Sequence, residues 1–290
     1  PMNDQNTFLF EELRRLQKSK RTYQIMICLG ILCFIIGVAT SWIILCAISF
    51  PVLILFTILL TRLEEKVKLN YGAPLVRNAL SQVFERVEYN PLGRLPDHIM
   101  CIDGMNLPFD VDRVEGSDHV RAIYNGMELE FSDIKLIDRR SSGKNTTYVT
   151  VFEGLWLVCD FQKQISGEIL LQEDNRSGLR FFDKLGHRGQ VIETENEVFN
   201  KKYLIVAENE HDAFYVLTPH MMEYIEEMDA RGMGVSYMRF TRAGKLHIAI
   251  NSGKDLFEVD SKTAPDMMIE KFLSEIYYVT GLLDTLHLSE

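Results

Sequence analysis

The residues of this chain that could carry chemistry are few, and their spacings argue against the common kinds. Ser142-Gly143-Lys144-Asn145-Thr146 resembles the end of a phosphate-binding loop, but Asp138 stands where the motif needs a glycine and Asn145 where it needs Ser or Thr after the lysine. Gly186-His187-Arg188-Gly189 and Arg231-Gly232-Met233-Gly234 lack dinucleotide-binding spacing and read as turns. Seven histidines are scattered, none in an HExxH pattern and none beside a cysteine pair. The nearest grouping is Glu208, Glu210, His211 and Asp212 with His220; a second acidic run holds Glu223, Glu226 and Glu227. A solvated acidic face explains such runs more simply than catalysis, which needs a cleft and shifted pKa values. No serine lies in GxSxG. The sequons at Asn145 and Asn175 have no meaning in a cytoplasmic domain. The expectation is therefore no catalytic, cofactor-binding or metal residue, no cofactor, and no enzyme. Glu208, His211, Asp212 and His220 are the first places to look should a pocket exist.

Cysteines point the same way. Cys28, Cys33 and Cys46 fall in an apolar stretch and behave as small hydrophobes, while Cys101 and Cys159 are far apart. Five cysteines without CxxC give no disulfide framework and fit a reducing compartment.

The elements that must position any site divide into two different polymers. Pro1 ahead of Met2 is read as a scar of tag cleavage and set aside. No charged residue occurs from Thr22 to Thr61. One helix of that length would be about 60 Å long, against an apolar bilayer core of roughly 30 Å, so the run must fold back. The weakest helical stretch, Gly37 to Trp42, separates spans at about 23–39 and 42–60. Tyr23 and Trp42 suit the interfaces, and Pro51 should kink the second span. A signal peptide would be shorter and would not be followed at once by a second span.

Arg14, Arg15, Lys18, Lys20 and Arg21 precede the hairpin, Arg62, Lys66 and Lys68 follow it, and the turn is uncharged. The positive-inside rule thus places both termini in the cytoplasm. Residues 1–21 form a basic amphipathic helix with Leu9, Leu13 and Leu16 on one face. Residues 62–96 form a stalk and linker, with a helix over Pro74–Tyr89 packing Val76, Leu80, Val83, Phe84 and Val87 on the domain.

Residues 97–290 read as a soluble α+β domain, mostly antiparallel. From Asn70 onward the chain holds 23 Lys/Arg and 36 Asp/Glu, a net charge of −13, which excludes a nucleic-acid partner and keeps the domain off anionic lipid. His119–Tyr124 and Met127–Ile137 flank Asn125-Gly126, a hairpin signal. Arg139–Thr147 is polar and expected to be a mobile loop. Tyr148–Asp160 and Ile165–Leu171 are expected as a second hairpin, Glu197–Ala207 and Ala213–Leu217 as a further strand pair, and Val235–Thr241 with Lys245–Ile250 as another. Thr218-Pro219 opens a helix to about Ala230, and a last helix covers Pro265–Leu286 with Phe272, Ile276, Val279, Leu283 and Leu286 in a stripe.

Val151-Phe152-Glu153-Gly154-Leu155-Trp156 with Cys159-Asp160-Phe161, Glu197-Val198-Phe199, the run from Ala207 to Pro219 with Met222, and Leu246-His247-Ile248-Ala249-Ile250 leading to Asp255-Leu256-Phe257-Glu258 are similar to a bacterial domain-of-unknown-function family numbered 3137. The sequence departs from that pattern at His211 and Phe214, where Val-Glu and Arg types are expected. The resemblance implies a two-pass protein of the bacterial cytoplasmic (inner) membrane. It also implies a LemA-family membrane partner, because members are often encoded beside such proteins. It carries over no functional residue. Together these readings describe a membrane-anchored interaction or scaffold protein, in contact with the lipid bilayer and homo-oligomeric through Gly30, Gly37 and Ala39. The alternative is an enzyme or ligand sensor whose pocket is assembled from distant residues.

Overall fold

A computed structural model describes residues 2–100, 111–142, 145–173, 189–231, 234–259, 263 and 265–286. The protein is α+β: two N-terminal apolar helices, a helical stalk, a large antiparallel sheet and a C-terminal helix. It divides into two compact units. One holds the chain up to Ala79 and Phe257–Phe272; the other holds Leu80–Leu256 and the chain from Leu273 on.

The first unit is built on α1 (Met2–Ala39) and α2 (Ile43–Val67). The basic N-terminal segment and the first apolar run are one unbroken helix. The turn falls where the sequence is weakest. Ser41 adopts a left-handed φ of 56°, the Trp42 N–H donates to Gly37 O (2.9 Å), and the Ser41 N–H donates to Val38 O (3.3 Å). This pair of bonds satisfies the last carbonyls of α1 and reverses the chain within three residues.

The two helices then pack on each other along small residues. A Cβ on Gly37 would lie 2.7 Å from Cys46 Sγ and 3.2 Å from the Cys46 backbone nitrogen; one on Gly30 would lie 2.7 Å from Leu53 Cδ2. These glycines are used inside the hairpin. Gly37→Ile should cost about 1–3 kcal/mol through overpacking, read as a lower melting temperature of the full chain in detergent. A parent-like transition would contradict this packing.

Tyr23 and Phe56 (ring centroids 5.8 Å) and Phe34 and Phe50 (6.4 Å) fill the seam. Lys20 and Glu64 pair at 2.9 Å across its open end. Pro51 lies inside α2, which continues through it to Val67, so the expected kink does not end or divide the helix. A π-helical turn, Lys68–Gly72, leads directly into α3 (Ala73–Val83). The run from Ile43 to Val83 is therefore nearly continuous, and Pro74 does not open a new helix.

In the second unit the expected helix over Pro74–Tyr89 stops at Val83. Arg86–Asn90 is β1, whose alternating burial fits a strand, and it pairs antiparallel with β2 (Arg113–Tyr124). Strand pairing here overrides helical periodicity. β2 and β3 (Met127–Ser142) are joined at Asn125-Gly126, both at positive φ, as expected. The polar stretch Arg139–Thr147 is not a loop among the described residues. β3 and β4 (Asn145–Asp160) stay paired, past a register shift between Leu136 and Ile137, to Ser142 opposite Asn145, because threonines and a tyrosine keep the pleat favourable.

β4 does not pair with the next strand. β5 (Ile169–Glu173) pairs with β7 (Tyr203–Ala207) and β8 (Val235–Phe240), β6 is Gln190–Val191, and β9 (Lys245–Asn251) lies between β4 and β8. The strand order is β1-β2-β3-β4-β9-β8-β5-β7-β6. A short helix, α4, covers Asp97–Met100.

Of the expected strand Glu197–Ala207 only Tyr203–Ala207 is a strand (β7), and the expected strand Ala213–Leu217 is helical. Glu197–Lys202 is α5 and Glu210–Val216 is α6, because Asn196 accepts from the Val198 and Phe199 amides and Asn209 from the His211 amide. These are N-caps, and they outweigh the β-prone residues that follow. α7 (Pro219–Arg231) opens with the Thr218 hydroxyl accepting from the Met221 amide, as expected. α8 (Pro265–Thr285) carries the predicted stripe, in which Phe272, Ile276, Val279, Leu283 and Leu286 are all buried.

Candidate functional site

Strand register brings a row of side chains to one face of the sheet. Glu88 (β1) opposes Arg121 (β2), which opposes Glu130 (β3); Val158 (β4), His247 (β9), Arg239 (β8) and Leu170 (β5) follow in order. Directly opposed residues share a face, so this is one track across seven strands, polar except at Val158 and at Leu170, where it ends on β5. The next same-face row is Ser132, Trp156, Ala249, Tyr237 and Gln172. Trp156 is fully buried there, under Leu95 and Met100 from the segment before and within α4. The Leu95 amide is held by the Ser132 hydroxyl at 3.0 Å. Where this cover ends, the polar track floors a cleft of about 720 Å³, lined by the apolar side chains of Ile99, Ile123 and Val158 and by the polar side chains of Arg239 and His247. That volume lies in the range of small-molecule sites.

Arg239 is the centre of the polar side. It is 5% exposed, and its Nε and Nη2 donate to Glu168 Oε2 at 3.0 and 2.6 Å. Its Nη1 is buried with no hydrogen-bond partner among the described residues. Beside it, His247 is 4% exposed, and its Nδ1 lies 3.4 Å from Trp156 Nε1. An indole N–H can only donate, so Nδ1 accepts and the ring proton sits on Nε2. Burial first, then the charges of Arg239 and Lys245, push the His247 pKa down to about 3, so the ring is neutral at physiological pH. At the far end of the track, Glu130 accepts from His119 Nε2 (2.9 Å) and Arg121 Nε (3.0 Å).

The residues singled out from sequence have supporting roles. Asp212 Oδ2 accepts from the Ser166 amide (2.9 Å), the Ser166 hydroxyl (2.7 Å) and the Gly167 amide (2.7 Å). The Ser166 hydroxyl bond and then the Gly167 and Ser166 amide bonds hold its carboxyl below the ordinary range, against the opposing effect of burial. Glu208 Oε2 accepts from the Glu168 amide (2.8 Å) and from Arg242 Nη2 (2.5 Å). Both acids fix the turn that delivers Glu168 to Arg239. His211 and His220 are exposed, and His220 pairs only loosely with Glu223, at 3.7 Å. The four do not form one constellation.

Asp212→Ala leaves the Ser166 and Gly167 donors without this acceptor and should cost about 2–4 kcal/mol, read by denaturant unfolding of the full chain. An unchanged midpoint would show that water replaces the carboxylate.

Arg239, His247 and Glu168 were not singled out from sequence. A signal existed. In Leu246-His247-Ile248-Ala249-Ile250 the leucine and isoleucines occupy one face completely, so His247 must look out of the other. Val235-Ser236-Tyr237-Met238-Arg239 puts Arg239 on the face of Tyr237.

Gly143, Lys144, Asn175 and residues 186–188, 232 and 233 lie outside the described residues, as does Cys101. No group of three or more His, Cys, Asp or Glu that could hold a metal ion occurs among the described residues. Cys28 and Cys33 are exposed on α1, Cys46 is half-buried in the helix seam, and Cys159 is buried in the sheet, where burial pushes its thiol up to about 12.

Among the described residues, a nine-stranded antiparallel sheet with a polar, cleft-forming face and two helices long and apolar enough to cross a membrane define the class of this chain. Its residues 150–288 match the model of a family described as "Protein of unknown function (DUF3137)", the family its motifs resemble. No curated protein matches the chain. Among solved structures it is similar to the crystal structure of the mycobacterial trehalose monomycolate transport factor A, TtfA. The identity is 10%, the match covers 74% of this chain and 94% of that one, and the TM-score is 0.36.

Proposed function

We propose that the chain is a membrane-anchored scaffold, a two-pass protein of a bacterial cytoplasmic membrane whose domain works on the cytoplasmic side within a membrane complex. One observation carries this reading: the helix hairpin turns Ile25, Leu29, Ile36, Ile43, Ile44 and Ile54 outward, all exposed. A contiguous apolar surface of this kind needs lipid around it. The Lys20–Glu64 pair sets the charged ends of both helices side by side, which supports a hairpin with both flanks on one side. Neither apolar stretch carries a charge, so nothing in it suits an ion path.

The domain's partners are a second copy of this chain and a membrane protein of the LemA family, the latter resting on family resemblance alone. Crosslinking in intact cells followed by mass spectrometry tests this. Links between copies and to one membrane protein are expected. A one-chain mass in detergent together with no crosslinked partner would contradict it.

A second reading, a ligand sensor, is favoured by the cleft at Arg239. In that reading the pocket is assembled from distant strands, and occupancy changes what the scaffold binds.

A further inference from the structure

The cleft has the makings of a built ligand site. Its floor holds a buried guanidinium whose Nη1 has no hydrogen-bond partner among the described residues. A buried donor left unmade is costly, so a group that completes it gains the corresponding free energy on binding. The neighbouring His247 is locked by Trp156 with its remaining donor on Nε2. Two fixed donors on adjacent strands, β8 and β9, call for an acceptor. The lining carries five Lys and Arg residues against four glutamates, in a chain whose part from Asn70 onward is net −13. Four of these five cations pair with carboxylates, so the lining is close to charge balance, and the Arg239 guanidinium with its open donor is what favours a negatively charged acceptor. Its apolar lining comes from Ile99, Ile123 and Val158.

We propose that this cleft binds a small amphipathic anion, its carboxylate or phosphate group received by Arg239 Nη1 and His247 Nε2 and its apolar body lying on Ile99, Ile123 and Val158. Glu168 is the positioning residue: its carboxylate holds Arg239 through Nε and Nη2 and takes no hydrogen bond from Nη1. Glu208 and Asp212 act one step further out by holding the turn that carries Glu168. The chain of contacts explains why two acids remote from the cleft matter to it.

The test uses the full chain in phosphatidylcholine nanodiscs, with empty discs as the blank, and calorimetric titration with four probes of one tail length: hexanoate, hexyl phosphate, hexanol and hexylammonium. Binding of at least one anion is expected, about tenfold or more tighter than the alcohol and the ammonium. Preference for hexanoate or for hexyl phosphate then identifies the head group. Arg239→Gln should weaken anion binding by about tenfold or more. That variant strands Glu168 and can fail to fold, so a surface pair decides independently. Ala243 lines the mouth of the cleft on the exposed β8–β9 turn. Ala243→Glu should weaken the anion and Ala243→Lys should not. No anion binding above empty discs, equal binding of hexanol, or parent-like binding by Ala243→Glu would overturn the proposal.

Discussion

Trp156→Ala should destabilise the chain by about 3–5 kcal/mol, the largest loss expected from any single truncation here. Trp156 is fully buried at the centre of the cluster formed by Leu95, Met100, Phe152, Tyr237 and Ala249. Its ring meets Phe152 edge-on at 5.9 Å. Removing the indole empties a large volume and also frees His247 Nδ1 from its donor. The melting transition followed by the sheet's circular dichroism in detergent measures this. Trp156→Phe should recover most of the stability but not the fixed His247 tautomer. A loss below about 1 kcal/mol for the alanine variant would mean that the segment from Leu95 to Met100 does not cover this face.

Acidification should destabilise the protein well above the carboxylate range. His247 has its folded pKa pushed down to about 3 by burial, with the charges of Arg239 and Lys245 adding to it, while an unfolded histidine titrates near 6.5. The unfolded chain therefore binds the proton first. The stability contributed by the neutral ring is fully present above about pH 6.5 and is lost as pH falls toward 3, at about 1.4 kcal/mol per pH unit. Between pH 6.5 and 4.5 this amounts to about 3 kcal/mol, before carboxylates such as Asp212 take part. Urea unfolding at several pH values reads the slope, and His247→Gln should flatten it over that window. A His247→Gln curve parallel to the parent's would show that the ring is solvated.

Much of the architecture could be read from residues alone, and where it could not the cause is specific. The apolar hairpin was legible because 40 uncharged residues admit few other readings, and the turn fell at Thr40–Trp42 because Ser41 closes α1. Asn125-Gly126 and Ala243-Gly244 marked their hairpins through positive φ, with Gly244 at 70°. The errors came from local signals that tertiary or capping effects outweigh. Val87 continues a helical stripe on paper, yet pairs with Ala122 across β1 and β2. Asn196 and Asn209 turned the first half of one expected strand, and most of another, into helices through one side-chain oxygen each. The pairing of β4 with β9 joins residues some ninety positions apart, and no local pattern encodes it. The cleft was hidden for the same reason. Its floor is a row of residues from separate strands, and only register sets them side by side.

The anchor reading stands on where the domain lies. The most direct measurement is protease digestion of intact spheroplasts carrying the full chain with a C-terminal epitope. Because both basic flanks are expected to face the cytoplasm, the epitope and the fragment from Asn70 onward should stay whole until the membrane is lysed, and should then be cut. Cleavage of that fragment before lysis, with a cytoplasmic marker protein still protected, would contradict the two-pass topology and with it the proposed cytoplasmic scaffold.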